Sequence, residues 1–244
     1  MNPSDIEKTA VTTPFSLFEY KFMPFGLRNS AATFQRFMDS IFRDLDFVFV
    51  YLDDLLIYSD TPQEHEKHLE EVFKRLDKHS LKISVDKCKF HESTIDFLGF
   101  QISKNGIEPP TSKKTAMKEF PLPCDSKALR RFLGMINFYR TLIPQFADIV
   151  YPISELAKFY PKAQSLPWNE EATSAFNKIK EKICEITALQ CTSPNSSVFQ
   201  LVTDSSQHAV GAALHQMINN TPVPVGFFSK KIIRSTKEIF NLRS

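Results

Sequence analysis

Apolar residues recur along the chain with two alternating periods. From Asn29 onward, Phe34, Phe37, Met38, Ile41, Phe42 and Leu45 fall three or four apart. That spacing predicts an amphipathic helix, with Asn29 or Ser30 as its N-cap. Residues 47–51 and 55–58 are β-branched and aromatic, and Leu52-Asp53-Asp54 separates them. This predicts a hairpin with two carboxylates at its tip. A second helix follows over residues 64–79, with Leu69, Val72, Phe73 and Leu76 on one face and the pairs Glu70/Lys74 and Glu71/Arg75 on the other. Strands are expected at 81–85 and 95–103, the latter running into the Asn105-Gly106 turn signal ahead of Ile107. Together these elements predict a β-αβ-β unit.

Beyond Pro109-Pro110 the period becomes helical, over 112–120, from Asp125 or Ser126 to Tyr139, over 147–158 and over 169–185, with prolines at the junctions. After Pro194 it returns to strands at 198–203, 210–215 and 223–228, with Asn219-Asn220 between the last two. The expected fold class is α/β (α+β), ordered as a mixed region, a helical region and a β meander, with boundaries near residues 110 and 194.

Composition changes this picture little. A chain of 244 residues that is 42% hydrophobic is long enough to bury a core. The net charge of +2 is uninformative, but its distribution is uneven. Residues 1–60 hold five Lys and Arg against nine Asp and Glu, whereas residues 104–140 hold eight against three. A cation-binding part followed by a polyanion-binding part satisfies that order, and so do ordinary solvated faces. Cys88, Cys124, Cys184 and Cys191 have no paired spacing, which suggests free thiols in a reducing compartment. No apolar run approaches the roughly 20 residues of a membrane span, so a soluble protein with no membrane partner is expected.

The paired aspartates carry the chemistry. Asp is an ordinary turn former, which is one reading of Asp53-Asp54. The other starts from the strands that flank them: adjacent anions repel, and a fold keeps them against a core when a cation neutralises them. Magnesium is the natural candidate, because two-metal phosphoryl transfer uses carboxylates on a rigid support. Rival sites are weak. Cys88-x-x-His91 with His65 and His68 imitates a zinc site, but no second pair follows and the two histidines are expected on a charged helix face. No phosphate-binding glycine pattern occurs.

Tyr51-Leu52-Asp53-Asp54, inside the run from Phe47 to Tyr58, resembles the tyrosine-x-aspartate-aspartate motif of reverse transcriptases, in the form found in gypsy-type LTR retrotransposons. The segment from Met23 to Arg36 resembles the family's loop and helix at the nucleotide and template site. The segment from Leu81 to Cys88 resembles its lysine-bearing motif, Phe97-Leu98-Gly99 its primer grip, and the segment from Arg130 to Arg140 its thumb helix. The resemblance implies Asp53 and Asp54 as catalytic metal ligands. It implies Tyr51, Phe25, Gly26 and Gln35 at the nucleotide or template, and Arg130 and Arg131 as backbone-phosphate contacts. Gly26 reads either as a place where backbone approaches a ligand or as a plain turn glycine. Lys87 reads either as a charge or proton donor at the leaving pyrophosphate or as a surface lysine beside Asp86. Gly99 is expected to break a strand where a primer backbone comes close.

The segment from Leu201 to Leu214, followed by Pro224 to Lys231, resembles the opening strands of the RNase H domain joined to these polymerases, with Asp204 on its first metal-binding position. Glu238 is a possible second ligand. The implied activity is RNA-directed DNA synthesis with two Mg2+ ions. The implied partners are an RNA template, a DNA primer or hybrid duplex, deoxynucleoside triphosphates and the remainder of a Pol polyprotein. The expected location is intracellular, in a cytoplasmic particle or the nucleus. The family's upstream aspartate strand and fingers have no counterpart here, so little activity from this chain alone is expected. A non-catalytic nucleic-acid-binding remnant is the alternative. Unpaired sheet edges, and with them aggregation, are also expected.

Overall fold

The computed structural model describes residues 1–162, 164–186, 188–190 and 198–232. Their contacts divide the chain into two compact units, Met1–His91 and Glu92–Ser244.

The first unit opens with α1 (Pro3–Ile6) and a small antiparallel pair, β1 (Val11–Thr12) and β2 (Leu17–Phe18). Helix α2 (Ser30–Phe42) leads into β3 (Val48–Tyr51) and β4 (Asp54–Ile57), a two-stranded antiparallel hairpin, and α3 (Pro62–Lys78) follows. Met38, Ile41 and Phe42 of α2 and Val72 and Leu76 of α3 are buried together, and Val48, Val50, Leu55 and Ile57 of the hairpin pack against them. Those are the alternate positions of each strand, so one hairpin face is core and the other is open. Thr61 caps α3 by accepting from the Glu64 amide, and Pro62 occupies the first turn, where a missing N–H costs nothing. Arg75 ties the two helices: its guanidinium donates to Ile41 O at 2.7 Å and to both carboxylate oxygens of Asp44.

The second unit begins with β5 (Thr94–Phe97), β6 (Phe100–Ser103) and β7 (Gly106–Glu108), an antiparallel meander. Helices α4 (Thr111–Lys118), α5 (Ser126–Asn137), α6 (Phe146–Phe159) and α7 (Glu170–Cys184) follow. They bury one apolar cluster around Met117, Leu129, Phe132, Ile136, Ile153, Phe176 and Ile179. Asp125 and Asn169 cap α5 and α7 through their side chains. The last described residues form an antiparallel sheet in which β9 (Ala209–Ile218) lies between β8 (Phe199–Ser205) and β10 (Thr221–Lys231). Asn219 and Asn220 both have positive φ in the turn that joins β9 to β10, as the asparagine pair suggests.

Three expectations need correction. Residues 81–84 form no strand, and residues 85–87 form a single 3-10 turn instead. The apolar residues of that stretch are spent differently, since Leu81 packs on the first unit's core while Ile83 and Val85 are exposed. The single strand expected over 95–103 is a hairpin, because Leu98 and Gly99 both have positive φ and reverse the chain. Finally, the hairpin β3–β4 and the meander β5–β7 are separate sheets, so no continuous β-αβ-β sheet forms among the described residues. Hydrophobic period reports which face is buried, not which strand is the partner.

Candidate nucleotidyl-transfer site

Residues at the β3–β4 reversal are held from beneath by α2. The turn consists of Leu52 and Asp53, because Tyr51 already pairs with Asp54. Asp53 therefore sits in the turn and Asp54 opens the returning strand. Tyr51 and Asp54 are directly opposed, which puts their side chains on one face. It is the open face, and Tyr51, Asp53 and Asp54 are all exposed. Neither aspartate carboxylate has a hydrogen-bond or ion-pair partner among the described residues.

Leu52 has φ +50°, whereas Asp53 stays negative. That sign pattern belongs to a type II′ turn, in which glycine normally takes the first central position. A γ-branched residue there costs about 1–2 kcal/mol and persists only if its surroundings hold it. Gln35 supplies the hold. Its Oε1 accepts from the Leu52 amide at 2.6 Å, and its Nε2 donates to Val50 O at 3.2 Å and to Asp39 Oδ1 at 2.8 Å. Asp39 was not singled out from the sequence, although a Gln–Asp pair four apart on a predicted helix is a recognisable signal.

The remaining candidates lie elsewhere. Phe25 is fully exposed on the loop before α2, and Gly26 beside it has φ +88° with open space where a Cβ would be. Lys87 ends the 3-10 turn, exposed and without an ion pair among the described residues. In the second unit, Phe97 ends β5 and Leu98 and Gly99 form the turn to β6, where Gly99 O accepts from the Tyr139 hydroxyl at 2.9 Å. What approaches Gly99 there is a ring: a Cβ would come within 3.2 Å of Phe138. Arg130 and Arg131 are exposed on α5 with no acidic partner among the described residues. Asp204 is exposed on β8, and its Oδ1 accepts from the Ser205 amide. Glu238 and Cys191 lie outside the described residues.

The histidines correct one expectation. His65 and His68 do not sit on the charged face of α3 but are half-buried. Ser59 Oγ bonds Nδ1 of both, at 3.1 and 2.7 Å, and His68 stacks on Phe47. Burial first, then the neighbouring His91 and His68, lowers the pKa of His65 below the ordinary histidine value. The helix period fixes neither their burial nor their neighbours: His68 also meets Glu64 of its own helix, and Ser59 beyond the returning strand is the hydrogen-bond partner the two share.

Exposed carboxylate oxygens without cationic neighbours, fixed on a hairpin, are the donor chemistry that a hard divalent cation prefers. Asp53 and Asp54 thus fit such an ion in kind. They do not complete a ligand set, since no group of three or more His, Cys, Asp or Glu is arranged for a metal among the described residues.

Residues 1–102 match the family described as reverse transcriptase (RNA-dependent DNA polymerase), and residues 168–240 match the RNase H-like domain found in reverse transcriptase. Over those two stretches the chain is similar to reverse transcriptase and RNase H-like sequence, and along its length it is similar to transposon Pol polyproteins. It is 38% identical over 236 residues to the retrovirus-related Pol polyprotein from transposon 297 of Drosophila melanogaster, covering 95% of this chain and 21% of that relative. The corresponding polyprotein from transposon opus of the same fly is 34% identical over 245 residues, covering 95% and 24%. The transposon Tf2-3 polyprotein of Schizosaccharomyces pombe is 33% identical over 234 residues, covering 95% and 17%. The chain therefore spans about a quarter or less of these relatives. In fold it resembles a foamy viral protease-reverse transcriptase solved with an RNA/DNA hybrid (TM-score 0.82, 22% identity, all of this chain and 34% of that one). A form of that protein solved with double-stranded DNA gives the same TM-score at 23% identity, covering 96% of this chain and 41% of that one.

Proposed function

We propose that the chain is part of an RNA-directed DNA polymerase of a gypsy-type LTR retrotransposon. In this reading residues 1–110 are palm, 111–193 are thumb and connection, and 194–244 open an RNase H-like domain. The single observation that carries it is the exposed, unpartnered carboxylate pair Asp53 and Asp54, fixed on a braced hairpin within the residues that match the reverse transcriptase family.

In this reading Asp53 and Asp54 hold Mg2+, two ions in the parent enzyme, which supply positive charge to the attacking and leaving oxygens of an in-line displacement. Tyr51 lies on the same open face, where a terminal base pair stacks. Phe25, Gly26 and Gln35 belong to the nucleotide and template side, and Lys87 faces the pyrophosphate. Phe97, Leu98 and Gly99 grip the primer. Arg130 and Arg131, free of acidic partners, take backbone phosphates, a contact that positions without reading sequence. Asp204 is the chain's contribution to a hybrid-cleaving site. The substrates are deoxynucleoside triphosphates on a DNA primer annealed to RNA, in company with the remainder of the Pol polyprotein.

A second reading, a nucleic-acid-binding module without catalysis, is favoured by the absence of a third metal ligand among the described residues. Extension of a DNA primer on an RNA template separates the two. The polymerase reading expects Mg2+-dependent incorporation that Asp53→Asn abolishes when the chain is joined to the remainder of the Pol polyprotein, and little from the chain alone. The module reading expects no incorporation, but hybrid binding whose salt dependence falls by about one unit of slope for Arg130→Ala and again for Arg131→Ala. Neither incorporation nor salt-sensitive binding would discard both.

A further inference from the structure

We infer that Gln35 is a positioning residue for the carboxylate pair: it clamps the Leu52–Asp53 turn in its strained form, with Asp39 fixing the orientation of the clamp. The inference rests on the proposed function and assigns to Gln35 a role different from direct contact with nucleotide or template.

Chemistry alone dictates how the amide lies. Asp39 is four residues along α2 from Gln35, and its carboxylate Oδ1 accepts there, so the NH2 end of Gln35 must face it. The carbonyl end is thereby turned to the Leu52 N–H, which is a donor and admits no other choice. The second NH2 hydrogen goes to Val50 O, on the far side of Tyr51 from Leu52. The two backbone contacts thus bracket Tyr51 and end at the residue whose φ is +50°. Both donor hydrogens of the amide are in use, so reading a base or a phosphate with them would break the clamp.

The consequence falls on Asp53 and Asp54. Their peptide planes follow directly from Leu52, and one relaxed backbone angle there re-aims both carboxylates. A cation that needs them together then meets a floppy pair, and its binding must order them first. Preorganisation of this kind is worth most where charge is to be held at fixed positions.

The test compares the wild-type chain with Gln35→Leu, which keeps the volume and removes the clamp, and with the double variant Gln35→Glu/Asp39→Asn. The double variant restores the acceptor for Leu52 and a donor facing it from residue 39, but sets an acceptor against Val50 O where the amide donated. Two readouts are followed: hydrogen exchange of the Leu52 amide, with the Tyr58 amide of the same hairpin as control, and Mn2+ affinity by paramagnetic relaxation. In Gln35→Leu the expected result is about tenfold faster exchange at Leu52, the scale of one lost hydrogen bond, with Tyr58 unchanged and Mn2+ bound several-fold more weakly. The double variant is expected to recover both in part, since the bond to Val50 O stays lost. Unchanged exchange at Leu52 overturns the inference, as does equal acceleration at Tyr58, which would make Gln35 a plain stability residue. Weakened hybrid or nucleotide binding with Leu52 exchange and Mn2+ affinity intact returns Gln35 to direct contact. If the wild-type chain binds Mn2+ no better than Asp53→Asn, the proposed function fails and takes the inference with it. If the wild type binds and Gln35→Leu binds equally well, the inference alone fails.

Discussion

Gly106 shows how much one residue type settles. It has φ +121°, and a Cβ there would stand 1.9 Å from Leu189 O, the carbonyl that accepts from the Ile107 amide. Gly106→Ala should therefore cost about 3 kcal/mol or more, through strain and a backbone collision that no side chain can relieve. A urea melt followed by tryptophan fluorescence checks this, since Trp168 lies against the same apolar cluster. Asp44 makes a residue-scale prediction of pH dependence. The hydrogen bond from Arg75 holds its carboxyl down at about 2, below the ordinary 3.8. A depressed carboxylate contributes above its unfolded value and loses that contribution as pH falls through the folded one. The pair's contribution is thus complete above pH 3.8 and gone near pH 2. Asp44 is solvent-exposed, so the effect is modest, and Asp44→Asn should flatten the urea midpoint between those two pH values.

At the scale of elements, turns are fastened by side chains distant in sequence. The Leu52–Asp53 turn is held by Gln35 from α2, and the Leu98–Gly99 turn by Tyr139, which follows α5. Tyr139 is buried and packs edge-on against Phe100 and Phe138, while its hydroxyl reaches Gly99 O. Tyr139→Phe keeps the rings and leaves that carbonyl short of a donor. A loss of about 1 kcal/mol is expected in denaturant unfolding, with no change in slope. A larger loss with an altered slope would mean that the ring packing moved as well. Capping is the complementary device: Thr61, Asp125 and Asn169 each satisfy an orphan amide at a helix start, where the sequence puts short polar side chains.

Across the whole molecule, much apolar surface stays in contact with water. Phe15, Phe22 and Phe25 are 93%, 84% and 105% exposed, and Leu201 and Val202 are exposed on β8, which pairs on one side only among the described residues. Contiguous apolar surface and open strand edges favour association. The purified chain should therefore bind a hydrophobic-exposure dye and elute broadly on gel filtration. A monodisperse monomer that leaves the dye dark would contradict this. None of the described helices is long and apolar enough to cross a membrane.

Local chemistry was legible without coordinates. The 3.6-residue period located α2, α3, α5, α6 and α7 to within a few residues, because helix burial depends on residues close in sequence. The Asp-Asp pair between two apolar runs located a hairpin with carboxylates at its reversal, and Asn219-Asn220 located another turn, for the same local reason. Tertiary structure decided what depends on distant partners. It split residues 94–103 into a hairpin fastened by Tyr139, left 81–84 without strand pairing, and turned His65 and His68 toward Ser59. It also committed Gln35 to the turn at Leu52, seventeen residues away. Periodicity records the exposure of a face, but a hydrogen bond or a strand pair needs its specific partner, and only the folded chain supplies one.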